Sequence, residues 1–166
     1  MAAFYLLPKV HKPTRPFLGR PILAATRSVF KSIDQYISRV ASTLLPLIPG
    51  SIRDSPDLIR KLEALNSIPP TAYLFSADVE ALYPSIPIPE GISAAVRFYS
   101  HHFDALKTYA VLNNLLPPPR PVLFKKILQT ILLNNIFTFR NMAYFHQISG
   151  IAMGSSISVY VANCFM

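Results

Sequence analysis

Residues 75–87 read FSADVEALYPSIP, a short apolar run that carries one acidic residue, Asp78, near its end and an aromatic residue, Tyr83, five positions later. The run predicts a strand, and a strand can hold a carboxylate rigidly at its carboxyl edge. A hard divalent cation such as Mg²⁺ needs one or two fixed oxygens and takes its other ligands from substrate phosphates. The pattern is therefore typical of a metal-dependent nucleotidyl transferase, with Tyr83 placed to pack against a sugar. The alternative is a buried strand whose Asp merely caps the next helix.

A second segment, residues 147–166, reads QISGIAMGSSISVYVANCFM and places Gly150 and Gly154 before an apolar helix rich in small residues. Glycine allows another backbone to approach closely. The Gly-Ser-Ser step is expected to leave amide groups free at the helix N-terminus, where phosphate groups or base edges can sit. This segment therefore favours a nucleotide-binding role.

Together the two segments resemble motifs A and B of a reverse transcriptase. Four blocks in the same order are similar to the reverse transcriptase of Penelope-like retroelements: LPKVHKP at 7–13, GRPI at 19–22, DVEALYPSIP at 78–87 and GIAMGSSIS at 150–158. The resemblance spans residues 4–166. Two positions differ from the family pattern, because Ser156 and Val159 stand where members usually carry proline.

The resemblance implies an α/β (α+β) fold with the fingers and palm of a right-hand polymerase. Residues 1–70 are assigned to the fingers and residues 71–166 to a partial palm, with a helical insertion at about residues 90–135. The next family element, the hairpin that carries the paired aspartates of motif C, does not occur among these 166 residues. We therefore expect an incomplete palm, and a chain that is inactive by itself.

The resemblance also implies roles for single residues of the palm. Asp78 would be the catalytic carboxylate and would bind Mg²⁺ (or Mn²⁺) together with the backbone carbonyl of Val79. Tyr83 would stack under the deoxyribose and exclude a 2′-hydroxyl. Gly154 and Ser155 would line the nucleotide and template side of the pocket.

In the fingers, the resemblance assigns Lys9 and Arg20 to the nucleotide triphosphate. Arg offers a planar fork for phosphate oxygens, and Lys offers a mobile point charge. Lys12, Arg15 and Arg27 are interpreted as contacts to the nucleic-acid backbone, or simply as surface residues. The implied partners are an RNA template, a DNA primer and deoxynucleoside triphosphates.

The distribution of charge fits a partner rich in phosphates. Residues 1–61 contain ten Lys or Arg and three Asp, so seven of the eight net positive charges lie there. Such a region suits a surface facing phosphates, although a generic cationic surface gives the same pattern. With 51% hydrophobic and 14% charged residues, the chain is not a disordered tail. Its one cysteine, Cys164, excludes a disulfide scaffold and fits a reducing compartment.

The spacing of apolar residues predicts the remaining elements. Residues 4–7 and 22–24 are expected to pair as strands. An amphipathic helix from residue 28 ends before Pro46 and carries Asp34 on its polar face. Further predicted elements are a helix capped by Ser55, helices at about 90–111 and 121–135, a hairpin at 137–145 and a buried terminal helix. Polar residues interrupt the uncharged stretch 141–166, so no membrane span is predicted there.

Two other classes of protein are compatible with parts of this pattern. A non-catalytic nucleic-acid-binding remnant of a retroelement would keep the fold and the basic fingers but not the chemistry. An interaction fragment without a nucleic-acid role would fit the apolar composition but would leave the four-block resemblance unexplained.

Overall fold

A four-stranded sheet and seven α-helices form the part of the chain that the computed structural model describes, namely residues 1–10, 19–65, 67, 69–73, 75–140 and 143–166. The strands are β1 (Ala2–Pro8), β2 (Gly19–Ala24), β3 (Ile136–Phe139) and β4 (Ala143–His146). The helices are α1 (Lys31–Ser42), α2 (Ser55–Glu63), α3 (Leu82–Ser85), α4 (Ile88–His101), α5 (Phe103–Leu112), α6 (Pro121–Leu133) and α7 (Ser158–Phe165). The fold is therefore mixed, with the α+β character that the sequence predicts.

The sheet joins the two ends of the chain. Its strand order is β2-β1-β3-β4, with antiparallel outer pairs and a parallel pair in the centre. Phe4 of β1 lies opposite Leu23 of β2, and Ala2 of β1 lies opposite Phe137 of β3. The predicted pairing of the first two strands and the predicted hairpin at 137–145 are both confirmed. Strands from both sides of residue 70, the predicted boundary between fingers and palm, thus share one sheet.

The core lies among the helices, to one side of the sheet. Tyr99 of α4 stacks on Phe124 of α6 with ring centroids 3.8 Å apart, and Tyr160 of α7 meets Phe124 edge to face at 6.1 Å. Helices α4 and α7 approach closely at Gly91, where an added Cβ would lie 3.1 Å from Val161 Cγ1. The terminal helix is therefore buried, as predicted, but it packs mainly against other helices.

Two helix predictions need adjustment. The helix predicted at about 90–111 is divided, because His102 takes a non-helical conformation between α4 and α5. The break turns α5 toward α1, where Leu106 and Val40 line a common cavity. The N-cap of α2 is Asp54 rather than Ser55, since the Asp54 carboxylate accepts a 2.8 Å hydrogen bond from the Asp57 amide.

The strand predicted at the opening stretch does not form. Residues 75–79 adopt neither strand nor helix, and the Phe75 side chain is 87% exposed. A strand needs a neighbour for its backbone N–H and C=O groups, and none of the described strands runs beside these residues. The prediction that a strand delivers Asp78 is therefore wrong for this structure. None of the described helices has the length and apolar character needed to cross a membrane.

Candidate nucleic-acid interface

Three segments that are distant in sequence meet at the loop formed by residues 147–157, here called the glycine loop. The Ile151 amide donates a 2.9 Å hydrogen bond to the carbonyl oxygen of Tyr83 in α3. The Leu23 amide, on the outer edge of β2, donates a 2.8 Å hydrogen bond to the carbonyl oxygen of Met153. The glycine loop therefore bridges the first hairpin of the sheet and the end of the opening stretch.

The two glycines of this loop lie where side chains would not fit. An added Cβ at Gly154 would lie 2.2 Å from the Leu23 carbonyl oxygen, and one at Gly150 would lie 2.6 Å from the Pro84 carbonyl oxygen. Their φ angles are +123° and +69°, in the region that favours glycine. The predicted close backbone approach is confirmed, and the backbone that approaches is the protein's own.

The amides predicted to be free at the start of α7 are occupied by Asp34. Its carboxylate accepts hydrogen bonds from Ser155 Oγ at 3.0 Å, from the Ser156 amide at 2.8 Å and from the Ile157 amide at 2.9 Å. The expectation of free amides is thus wrong, because α1 points a carboxylate at them. Asp34 is 3% exposed, so the prediction that it lies on the polar face of its helix is also wrong.

The importance of Asp34 has only a weak signal in the sequence. Asp34 lies three positions before Ile37 and seven before Ala41, which are both fully buried. At 3.6 residues per turn these three side chains share one face of α1. That spacing places a carboxylate on a buried face, but it does not indicate which amides the carboxylate meets.

Beside the glycine loop lies a cavity of 360 Å³, here called the aromatic groove. It is lined by one face of the sheet, by Pro84 and by the glycine loop: Phe4, Pro21, Leu23, Phe137, His146, Gln147, Ile148, Ser149, Ile151, Ala152 and Met153. Phe4 and Phe137 have ring centroids 5.5 Å apart, and Phe137 and Phe145 stack at 5.6 Å. The sheet thus presents a row of flat rings next to a polar backbone loop. Flat rings of this kind can stack on nucleobases without a sequence preference.

The side chain of Gln147 holds the first residues of the glycine loop in place. Its side-chain oxygen accepts a 2.6 Å hydrogen bond from Asn135 Nδ2, and its side-chain nitrogen donates to the carbonyl oxygens of Ser149 and Gly150. The Gln147 side chain therefore holds the loop from within, while also lining the groove.

The predicted basic residues of the fingers fall into separate places. Arg20 lies opposite Leu7 near the end of the first hairpin where its two strands are connected, and Lys9 follows directly after β1. Since neighbouring residues of a strand point to opposite faces, Arg20 faces away from Pro21 and the groove. Arg27 is exposed beyond the other end of β2. Lys12 and Arg15 lie outside the described residues.

The predicted metal ligands are exposed. Asp78 and Val79 precede α3 in the irregular segment 75–79, and among the described residues no group of three or more His, Cys, Asp or Glu could hold a metal ion. One carboxylate with one carbonyl does not complete the ligand set of a two-ion centre. Ala81, between Asp78 and Tyr83, has a φ of +52°, a strained conformation of the kind that accumulates at functional sites.

Of the predicted nucleotide contacts, Tyr83 and Gly154 both lie at the glycine loop: the Tyr83 carbonyl oxygen binds the Ile151 amide, and Gly154 is part of the loop. Ser155 also belongs to the loop, and its hydroxyl donates a hydrogen bond to Asp34. Comparison of the chain with family models, with curated proteins and with solved structures finds no match.

Proposed function

We propose that the chain is the fingers region and an incomplete palm of a reverse transcriptase of the Penelope-like type. The observation that carries the proposal is that three of the four resembling blocks, at 19–22, 78–87 and 150–158, contribute residues to one groove although they are far apart in sequence. The hairpin of β1 and β2, the turn at Tyr83 and the glycine loop are joined by the hydrogen bonds from Leu23 to Met153 and from Ile151 to Tyr83. Blocks that resembled the family by chance would have no reason to come together.

In this proposal, residues 1–70 are the fingers and residues 71–166 the partial palm, with α4, α5 and α6 as the helical insertion. The palm strands β3 and β4 pair with the fingers strand β1, so fingers and palm share one sheet. The aromatic groove takes the bases of a template or a hybrid duplex, and its rings supply stacking. The basic first third of the chain attracts the phosphate backbone.

Asp78 and the Val79 carbonyl are the oxygens that this chain offers to Mg²⁺ or Mn²⁺. Such an ion would lower the pKa of a primer 3′-hydroxyl and neutralise developing charge. Tyr83 would pack against the sugar of an incoming deoxynucleotide. Because the described residues do not assemble the full ligand set, the chain by itself is proposed to bind nucleic acid and not to extend a primer.

The test of this function is binding of an RNA–DNA hybrid at several salt concentrations. We expect log affinity to fall linearly with log salt, because bound Lys and Arg side chains release counterions from the phosphates. Charge reversal at Arg15 or at Arg27, one at a time, should weaken binding, whereas Lys125→Glu in α6 is the charge-matched control and should have the smaller effect. Affinity that does not change between low and physiological salt would contradict the proposal.

A non-catalytic remnant that still binds nucleic acid is the second candidate. The observation in its favour is the exposed, isolated position of Asp78 together with the lack of a metal-binding cluster in the described ranges. Both candidates predict hybrid binding. They differ in whether Asp78 ever takes part in nucleotide transfer.

A further inference from the structure

The carboxylate of Asp34 accepts three hydrogen bonds from residues 155–157, at the end of the glycine loop. Both of its oxygens are used: Oδ1 accepts from Ser155 Oγ and the Ile157 amide, and Oδ2 accepts from the Ser156 amide. Its partners lie 121 to 123 positions further along the chain. A fourth hydrogen bond between α1 and residues 155–157 runs from Ser38 Oγ to the Ser156 carbonyl oxygen at 3.0 Å. These hydrogen bonds therefore join α1 to the residues that lead into α7.

The bonds to Asp34 suit a carboxylate in particular. The first amides of a helix have no partner within the helix, and the positive end of the helix dipole favours a negative charge. The Ser156 and Ile157 amides that Asp34 binds lie directly before α7, at the positive end of its dipole, and no side chain caps α7 itself. The carboxylate therefore places a negative charge from another helix at the N-terminal end of α7.

The place of this carboxylate gives it an effect on the groove. Residues 155–157 directly follow Gly154, the point at which the chain passes against the Leu23 carbonyl. On the other side of Gly154, the loop is held by the hydrogen bond from the Ile151 amide to the Tyr83 carbonyl oxygen. Fixing residues 155–157 therefore fixes the angle at which residues 150–154 lie along the edge of β2.

We propose that Asp34 is the positioning residue of the aromatic groove: by binding residues 155–157 it holds the glycine loop against β2 and α3, and so sets the wall on which a nucleic acid lies. The positioning role of Asp34 is a statement about the structure of the chain alone and does not depend on what the groove binds. Its consequence for nucleic-acid binding rests on the proposed function.

The experiment compares the full chain with Asp34→Asn and with Asp104→Asn. Asparagine has nearly the size of aspartate but replaces one oxygen by an NH₂ group, which cannot accept the bond from a backbone amide. Asp104 carries a side chain that is 92% exposed and pairs with Lys107 in α5. Both variants remove one negative charge, so a difference between them comes from the place of the lost carboxylate and not from the change in net charge.

Hydrogen exchange of single amides is the first measurement. In Asp34→Asn the amides of Leu23 and Ile151, whose partners lie on or against the glycine loop, should exchange faster by about tenfold or more, whereas the Leu128 amide in the core of α6 should not. Asp104→Asn should leave all three amides unchanged. Equal exchange at Leu23 and Ile151 in both variants would overturn the proposal, and so would an acceleration of equal size at Leu128.

Hybrid affinity is the second measurement, and the sign of its change separates the two effects. Added net positive charge strengthens binding to phosphates, so Asp104→Asn should bind an RNA–DNA hybrid as tightly as the parent chain or more tightly. Asp34→Asn should bind more weakly although it carries the same added charge. If the parent chain does not bind the hybrid, the proposed function fails, and the exchange measurement still decides the role of Asp34.

Ser155→Ala provides the same test with a milder change. It removes one donor to the Asp34 carboxylate and leaves the charge in place. We expect faster exchange at Leu23 and Ile151 in this variant too, but by a smaller factor than in Asp34→Asn. If Asp34→Asn does not fold, unchanged exchange in Ser155→Ala would by itself overturn the proposal.

Discussion

Gly154 and Gly50 differ in how much space their surroundings would leave for a side chain. Gly154 and Gly50 both have positive φ angles, of +123° and +75°. Around Gly50 nothing lies within 4 Å of an added Cβ, whereas at Gly154 the Leu23 carbonyl oxygen lies 2.2 Å away. The backbone conformation is therefore strained for a side chain at both positions, and the space is missing at only one.

Gly154→Ala should lower the free energy of unfolding by about 3 kcal/mol, because strain at positive φ and a clash with backbone act together. Gly50→Ala is the control for strain without the clash and should cost about 1 kcal/mol. Urea unfolding followed by circular dichroism measures both. Equal losses in the two variants would mean that the approach of the glycine loop to β2 contributes nothing to stability.

The thiol of Cys164 provides a prediction on pH. Burial raises the pKa of this thiol to about 11, and a hydrogen bond with Tyr160 lowers it by less. The folded state therefore holds the proton more tightly than the unfolded state, whose thiol pKa is about 8.5. The contribution of this group to stability is complete below the unfolded pKa and is lost as the pH rises through the folded one.

Cys164→Ala should accordingly lack this part of the decline in stability at alkaline pH. Unfolding measured at pH 8 and at pH 10.5 in both chains isolates the thiol from the other groups that titrate there. Alkylation of Cys164 at pH 8 should also be slow in the folded chain and fast in urea, because the thiolate is the reactive form. Equally fast alkylation in both conditions would show that the thiol is not held in its protonated form.

At the scale of elements, α7 contains a buried polar group that has no hydrogen-bond partner among the described residues. Tyr160 of α7 donates a 3.2 Å hydrogen bond to the Ala95 carbonyl oxygen of α4. By contrast, Ser158 Oγ is buried and has no hydrogen-bond partner among the described residues. A buried hydroxyl without a partner loses its bonds to water and gains nothing in return.

Ser158→Ala should therefore raise the free energy of unfolding by about 1 kcal/mol, since it removes an unsatisfied polar group and adds a better helix former. Ser93→Ala, at an exposed site of α4, gives the contribution of helix propensity alone and should be worth only a few tenths. A thermal unfolding series compares them. A loss of stability in Ser158→Ala would mean that the hydroxyl has a partner in solution.

The elements that could be predicted from the sequence are those whose signals are local. The apolar spacing around Ile37 marks α1, and the alternation around Phe137 marks the hairpin of β3 and β4. The predicted strand at Asp78 fails because a strand depends on a neighbour that no local pattern supplies. The bonds of Asp34 and the aromatic groove could not be predicted either, because their partners lie more than a hundred positions away.

For the whole molecule, the central question is whether the chain transfers nucleotides. The two-metal reaction needs enough fixed carboxylates to hold two ions against their mutual repulsion, and the triphosphate brings only part of the ligands. Asp78 is exposed and lies in the irregular segment 75–79. We expect primer extension on poly(rA) with oligo(dT) to stay at the level of an Asp78→Ala control, in Mg²⁺ and in Mn²⁺. Template-dependent synthesis that Asp78→Ala abolishes would prove this prediction wrong and favour a complete catalytic site.

The central position of β1 in the sheet has a consequence for biosynthesis. β1 is synthesised before both of its neighbours: β2 follows after ten residues, whereas β3 follows only after more than a hundred. While the ribosome is synthesising the helices, one edge of β1 stays open, with the exposed side chains of Tyr5 and Leu7 beside it. Unpaired edges of this kind can pair with other chains, and pairings between distant residues form slowly. The nascent chain therefore passes through a long interval in which it needs protection from aggregation, and this interval ends only when the last hairpin has been synthesised.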